Sequence, residues 1–384
     1  MVMKGTDMKV AEAPTAALES LNVNDAYTEW QAREGVRVIT DFAFEDLGTV
    51  ELSPWERKGG SGAIINIPND RLSTDSHLVE IKAGGKSEPE HHLYEATVYI
   101  VSGRGATTIW VDEGHEQTFE WHAGSLFAIP LNAWYQHFNG SGTEPARYLA
   151  VTNAPPVMRL FNDLDFVFNS PHAFRGRFDG QDDYFSGGKR YENRVWRTNF
   201  IPNAPDLPLF PRKERGAGGI IAMLEMAGEN LKPHMSEFPV GTYKKAHRHG
   251  PGAHLLILSG EGFSLLWTKD DMSDMRKADW KAGGMVIVPH EACFHQHFNT
   301  GTTRARYLAL KGGDMGLNTP HAGSGQFGAR SMDEGGWQVE YDAEDRRVHD
   351  IFETALAAQS ATCRMKAFVP WCTGEVGPTD ERDT

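Results

Sequence analysis

The chain repeats itself. The stretch from Glu80 to Trp110 aligns with Glu237 to Trp267: the glycines of Ser102-Gly103-Arg104-Gly105 match those of Ser259-Gly260-Glu261-Gly262, and Trp110 matches Trp267. Further on, Gln136-His137-Phe138-Asn139 recurs as Gln296-His297-Phe298-Asn299, and each copy is followed by an Ala-Arg-Tyr-Leu-Ala run, from Ala146 and from Ala305. An internal repeat of this kind means two copies of one unit, not one large fold. The length agrees, because 384 residues is about twice the usual ~100–200 of a single domain.

Within each copy the apolar residues form short runs rich in Val, Ile, Leu and Tyr, at Thr97–Val101, Leu126–Pro130, Leu255–Leu258 and Met285–Pro289, separated by Gly-rich corners. Short strands with turn signals every ten residues or so point to a sandwich or barrel, and a two-sheet jelly roll is the expected form. Helical spacing occurs only at the flanks: Leu18, Leu21, Tyr27 and Trp30 within Ala17–Arg33, and Val348, Ile351, Phe352 and Leu356 within Asp342–Ala358. The expected organisation is therefore an N-terminal helical and extended arm (1–60), a first barrel (61–155), a proline-rich connector (156–232), a second barrel (233–325) and a C-terminal helix and tail (326–384). The fold class is mainly all-β.

Composition removes several functions. Lys plus Arg total 38 against 52 Asp plus Glu, a formal charge of −14, which argues against nucleic acid or an anionic membrane as partner. No stretch approaches the ~18–20 apolar residues of a membrane span, and the N-terminus lacks the apolar core of an export signal. With three cysteines and no CxxC pair, a reducing, cytoplasmic setting is expected.

The sixteen histidines are unevenly placed, with five at 247, 249, 254, 295 and 297. On an extended segment, residues two apart share a face, so His247 and His249 point together while Arg248 points away. His295, from another strand, closes a three-nitrogen face with coordination positions left open, the mark of a catalytic centre; imidazole suits Fe, Mn, Ni, Cu or Zn better than Ca or Mg. The plainer account of these residues is a set of polar histidines lining a barrel.

At this point the chain resembles the cupin superfamily, and in particular bicupins, in which two jelly-roll barrels are fused. Gly241, His247, His249 and Gly260 fit the first cupin motif, and Gly283 or Gly284, Pro289, His295 and Asn299 fit the second. The resemblance implies a divalent metal held by His247, His249 and His295. It departs from the common pattern where most cupins carry a glutamate ligand, since Ala253 stands there. In this it is similar to the gentisate and salicylate ring-cleaving dioxygenases, whose iron is held by histidines alone. His254 becomes a fourth ligand only if the turn before it shifts the register; strict alternation turns it away. In the first repeat the same positions are Glu90, His92, Ala96 and Tyr135. That reads as an empty structural barrel, with a second metal on Glu90 or His91, His92 and His137 as the alternative.

Trp267 and Phe294, with Phe298 and Met285, are candidate apolar walls for an aromatic substrate, His297 shares the parity of His295, and Cys293 reads as a small core residue. Arg306, with Arg304 and Lys244, is a candidate clamp for a substrate carboxylate. Each has a plainer account, as core aromatic, shared structural histidine or solvated charge. The resemblance implies a non-haem Fe(II) dioxygenase acting on a small hydroxylated aromatic acid with O2, assembled as a homodimer or homotetramer. The alternatives are a decarboxylase, lyase, isomerase or hydrolase using Mn, Ni or Zn as Lewis acid, and a binding bicupin without turnover.

Overall fold

The computed structural model describes residues 25–68, 74–191, 194–250, 252–289, 293–312 and 329–375. It contains two jelly-roll barrels with the same strand order. In the first, the larger sheet runs Gly60–Asn66, Asp75–Ile81, Ala146–Thr152, Ala96–Ser102, Leu126–Ile129, and faces a three-stranded sheet of Trp134–Asn139, Arg104–Trp110 and Glu116–His122. In the second, Ile220–Glu225, His234–Phe238, Ala305–Lys311, Ala253–Ser259 and Met285–Val288 face Phe294–Asn299, Glu261–Trp267 and Arg276–Lys281. No helix among the described residues is long and apolar enough to cross a membrane.

The Ala-Arg-Tyr-Leu-Ala runs show why these strands read as almost continuously apolar. Side chains alternate across a strand, and both faces of these two strands are buried. Tyr148 and Ala150 enter the first barrel's core, while Leu149 and Val151 enter a cluster shared by both barrels. Tyr307 and Ala309 likewise face the second barrel, while Leu308 and Leu310 meet the first across the same seam. Ala146 and Ala305 sit beside the matched corner glycines. Gly103 and Gly260 adopt φ of +87° and +82°, and a Cβ on either would lie 2.7 Å from the Cα of the facing alanine. Only glycine satisfies both demands.

Each barrel is completed by a short strand from the other half's flank. Ala43–Phe44 pairs with Met285–Val288 of the second barrel, and Phe200–Ile201 pairs with Leu126–Ile129 of the first. A duplicated clamp holds both. Arg147 Nη2 donates to Glu80 (2.8 Å) and Nη1 to the Leu47 carbonyl (2.8 Å), and Arg306 Nε donates to Glu237 (2.7 Å) and Nη1 to the carbonyls of Pro205 and Leu207.

The expected segments are therefore more entangled than drawn. Arg37–Thr40 and Ser53–Trp55 of the arm join the first barrel's larger sheet, and Ile220–Glu225 of the connector is a full strand of the second. The helix Ala154–Phe161 straddles the end of the first-barrel segment and the start of the connector, which also holds Leu164–Asn169. At the N-terminal flank the helix is Ala26–Glu34, started by Asp25, whose carboxylate accepts from Tyr27 N (3.2 Å), and stopped by Gly35 at φ +62°. The Ala17–Asn24 part of that expectation lies outside the described residues. At the other flank the helix is Arg346–Ala358; it starts after Asp342 because Asp345 caps it, accepting from Arg347 N at 2.9 Å.

Leu308 is fully buried in the seam between barrels. Leu308→Ala is expected to cost about 2–5 kcal/mol in urea-induced unfolding, the measurement that checks whether the barrels unfold as a unit.

Candidate metal centre

His247 and His249 lie on an irregular extended segment that no regular strand contains, a difference from the strand expectation. The segment is held to strand Phe294–Asn299 by backbone pairing of His247 with His295 in both directions, at 3.1 and 2.9 Å. The pairing brings three rings together: centroids are 4.1 Å apart for His247 and His295 and 4.8 Å for His249 and His295. One ligand atom from each of the three lies within 4.8 Å of the others.

His247 Nδ1 faces the Lys245 carbonyl (3.3 Å), and His295 Nδ1 faces the Cys293 carbonyl (3.2 Å). A carbonyl only accepts, so each Nδ1 carries the proton and each Nε2 keeps its lone pair for the centre. Burial, reinforced by the nearby Arg215, pushes both imidazoles down, His295 to about 3. They are neutral near pH 7, the state a metal requires. The residues present fit a divalent ion.

The cavity in front of the triad is lined by Arg212, Arg215, Lys244 and Lys311, and among the described residues no Asp or Glu lines it. Burial and the neighbouring Arg212 lower the Arg215 guanidinium to about 9, against the smaller opposing effects of Tyr307 and Glu214. Arg215 Nη1 is aimed by a 3.1 Å bond to Gln338 Oε1. Lys244 Nζ bonds Ser236 Oγ and Tyr307 Oη (3.1 Å). Burial would raise the Tyr307 phenol, yet Lys244 outweighs it and the net shift is downward. Ile220, Ile221, Met223 and Leu255 supply apolar wall.

Several expected site residues lie elsewhere. Trp267 and Phe294 stack on each other (centroids 5.7 Å, 15° between planes) outside the cavity. Phe294 is one residue from His295, so alternation sends it to the opposite face; Phe298 follows it there for the same reason. Arg306 and Arg304 pair with Glu237, and neither is among the residues that line the cavity. His254 points away, because its neighbours Ala253 and Leu255 line the cavity. Cys293 is buried outside the lining, its thiol pushed up to about 12 by desolvation.

His297 does line the cavity, with Nδ1 on Ser264 Oγ (2.8 Å), to which Trp280 Nε1 also donates (3.0 Å). The first barrel copies this arrangement in His137, Thr107 and Trp121 at 2.7 and 2.9 Å, so the repeat carries it as barrel structure.

Sequence reasoning missed Arg212, Arg215, Tyr307 and Lys311. A signal existed for Arg215. It ends a short turn before Gly216, as Lys58 ends one before Gly59, each just upstream of its barrel's first strand.

That equivalence explains the first barrel. Backbone pairing of Glu90 with Tyr135 repeats that of His247 with His295. Lys58 Nζ reaches in to Glu90 Oε1 (2.6 Å) and Tyr135 Oη (3.5 Å), while His92 is bonded to the Tyr94 carbonyl (2.8 Å) and Tyr135 Oη (3.1 Å). An ammonium thus stands among the positions that carry the triad in the second barrel. Glu90, His92 and His137 form no metal-holding group among the described residues.

Burial would raise the Glu90 carboxyl, but Lys58 outweighs it and holds the group below its ordinary value. The pair's contribution is complete above the ordinary glutamate value of about 4.3 and is lost as pH falls through the depressed one. Lys58→Met is expected to cost about 3–5 kcal/mol in chemical unfolding by leaving a buried carboxylate unpaired, and Lys58→Met with Glu90→Gln to recover most of it.

Residues 77–152 match the Cupin domain family. Over 113 residues the chain is 28% identical to 5-aminosalicylate 1,2-dioxygenase of a Comamonas species, covering 28% of each chain. Over 108 residues it is 29% identical to the oxalate decarboxylase OxdC of Bacillus subtilis strain 168, covering 27% of each. The chain thus spans under a third of the length of these curated relatives. Among solved structures, a deletion mutant of B. subtilis oxalate decarboxylase aligns with TM-score 0.47 and 15% identity, over 72% of this chain and 78% of that one. A structure of the same enzyme used to assign its Mn(II) centres aligns with TM-score 0.48 and 14% identity, over 73% and 79%. The first barrel carries the Cupin domain match and the second repeats its strand order, so the fold is two cupin-type jelly-roll barrels in one chain.

Proposed function

We propose that the second barrel holds one divalent metal ion, Fe(II), through Nε2 of His247 and His295 and a ring nitrogen of His249, and that the protein is a dioxygenase opening the ring of a small hydroxylated aromatic acid. The observation that carries this reading is the gathering of three imidazoles beside a cavity wall with one buried and three half-buried cations and, among the described residues, no acidic side chain. The ligand set brings no charge, and the wall calls for an anion. Likeness to an aminosalicylate dioxygenase supports an aromatic carboxylate.

Bound there, the ion supplies the electron transfer that spin-paired aromatics and O2 cannot perform directly. The chain's own residues do the rest. Arg215, held by Gln338, offers its guanidinium fork to the substrate carboxylate, with Arg212 and Lys311 adding positive charge. Lys244 and Tyr307 hold a mobile proton between Nζ and Oη and can take one from a substrate hydroxyl. Ile220, Ile221, Met223 and Leu255 exclude water from the reacting face. Trp267, Phe294 and Arg306 take no part.

The similarity to an oxalate decarboxylase favours a second reading. In it the same carboxylate-binding cavity serves metal-assisted decarboxylation with no O2 consumed. An oxygen electrode separates the two: substrate-dependent uptake across a panel of hydroxybenzoates and aminosalicylates is expected, and CO2 release from a dicarboxylate without uptake would replace the dioxygenase reading.

His295→Ala is expected to lower metal at the triad, read by elemental analysis, and to abolish turnover. Arg215→Met should raise KM for the carboxylate substrate roughly 10- to 100-fold, as for loss of a charge-assisted bond. The corresponding substrate without its carboxylate should be far less affected.

A further inference from the structure

A second set of metal-ligating side chains lies outside the barrel, under the C-terminal helix. His349 and Glu353, four residues apart on Arg346–Ala358, share one face of the helix. Cys363 and Cys372 come from the chain that follows. One ligand atom from each of the four lies within 4.8 Å of the others, and His349, Cys363 and Cys372 are buried. We propose that His349, Glu353, Cys363 and Cys372 form a structural zinc site that fastens the C-terminal segment to the second barrel.

The geometry distinguishes this from a disulfide. The two sulfurs are 3.6 Å apart, whereas a disulfide requires ~2.05 Å. Two thiolates on one tetrahedral zinc, each at ~2.3 Å, stand about 3.8 Å apart. His349 Nε2 and Glu353 Oε1 are 3.1 Å apart, close enough to bind a common ion. Gly374 N, two residues beyond Cys372, donates to its Sγ (3.4 Å), an amide placed to stabilise thiolate charge there.

The imidazole is oriented in the manner of a metal ligand. His349 Nδ1 bonds Tyr243 Oη (3.1 Å), which donates in turn to Glu344 (2.7 Å), leaving Nε2 for the ion. Glu353 is half-exposed and gives the ion a way in. Two thiolates, an imidazole and a carboxylate in a closed set suit zinc, in contrast to the open three-nitrogen face of the barrel.

The site would also act on the cavity from outside. Gln296 Nε2 donates to Glu344 (2.6 Å), and the Trp337 carbonyl and Gln338 bracket the His247 segment. Fastening this segment holds Gln338 against Arg215.

The test uses the full chain produced with zinc present. His247→Ala removes a triad ligand, and the protein is expected to retain one equivalent of zinc that the added Cys372→Ser removes. Zinc unaffected by Cys372→Ser, or absent from the His247→Ala chain, overturns the proposal, as does a native mass showing Cys363 and Cys372 oxidised to a disulfide. Should the cysteine variant fail to fold, cobalt substitution of the unmutated chain decides. A thiolate-to-cobalt charge-transfer band supports the site, because an all-imidazole centre has none, and cobalt bound without that band overturns it.

Discussion

Burying charge inside a narrow barrel costs several kcal/mol per ion unless an opposite charge meets it, and the two barrels of this chain answer that constraint differently. In the first, Lys58 enters beside Glu90, and the pair neutralises itself within hydrogen-bond distance. In the second, neutral histidines replace Glu90 and Tyr135 while the cation persists as Arg215, joined by Arg212, Lys244 and Lys311. One interior is complete within the chain. The other sets these four cations beside the three histidines, with no acidic side chain lining the cavity among the described residues.

The same duplication organises the framework. Two equivalent strands, Ala146–Thr152 and Ala305–Lys311, are buried on both faces, so one seam joins the barrels while their other faces form separate cores. Glu80 with Arg147, and Glu237 with Arg306, fasten the exchanged flanks at matching places. An arginine that looks like a substrate clamp in one repeat is explained once its partner in the other is seen doing the same work.

How far the site was legible depended on whether local periodicity or long-range packing set each position. His247, His249 and His295 were readable because spacing within short extended segments fixes parity, even though the first two do not lie on a regular strand. Phe294 and Trp267 were misread as cavity walls although the same alternation, applied from His295, already sends Phe294 outward. Arg215 and Lys311 were missed because they lie far along the chain from the histidines. The zinc-type cluster was invisible for the same reason: the eight residues between Cys363 and Cys372 make no recognisable motif until the helix brings His349 and Glu353 to them.

By itself the sequence determined that there are two copies of one β-rich unit, where their glycine corners fall, and which copy keeps three histidines at metal spacing. These depend on identity at matched positions and on side-chain alternation, both local properties. Tertiary structure alone decided that flanking strands cross between barrels, that Lys58 fills one interior while Arg215 faces the other's triad, and that Arg306 belongs to the framework. Those outcomes depend on which distant segments share a buried space, where desolvation and charge pairing, not chain order, select the partners.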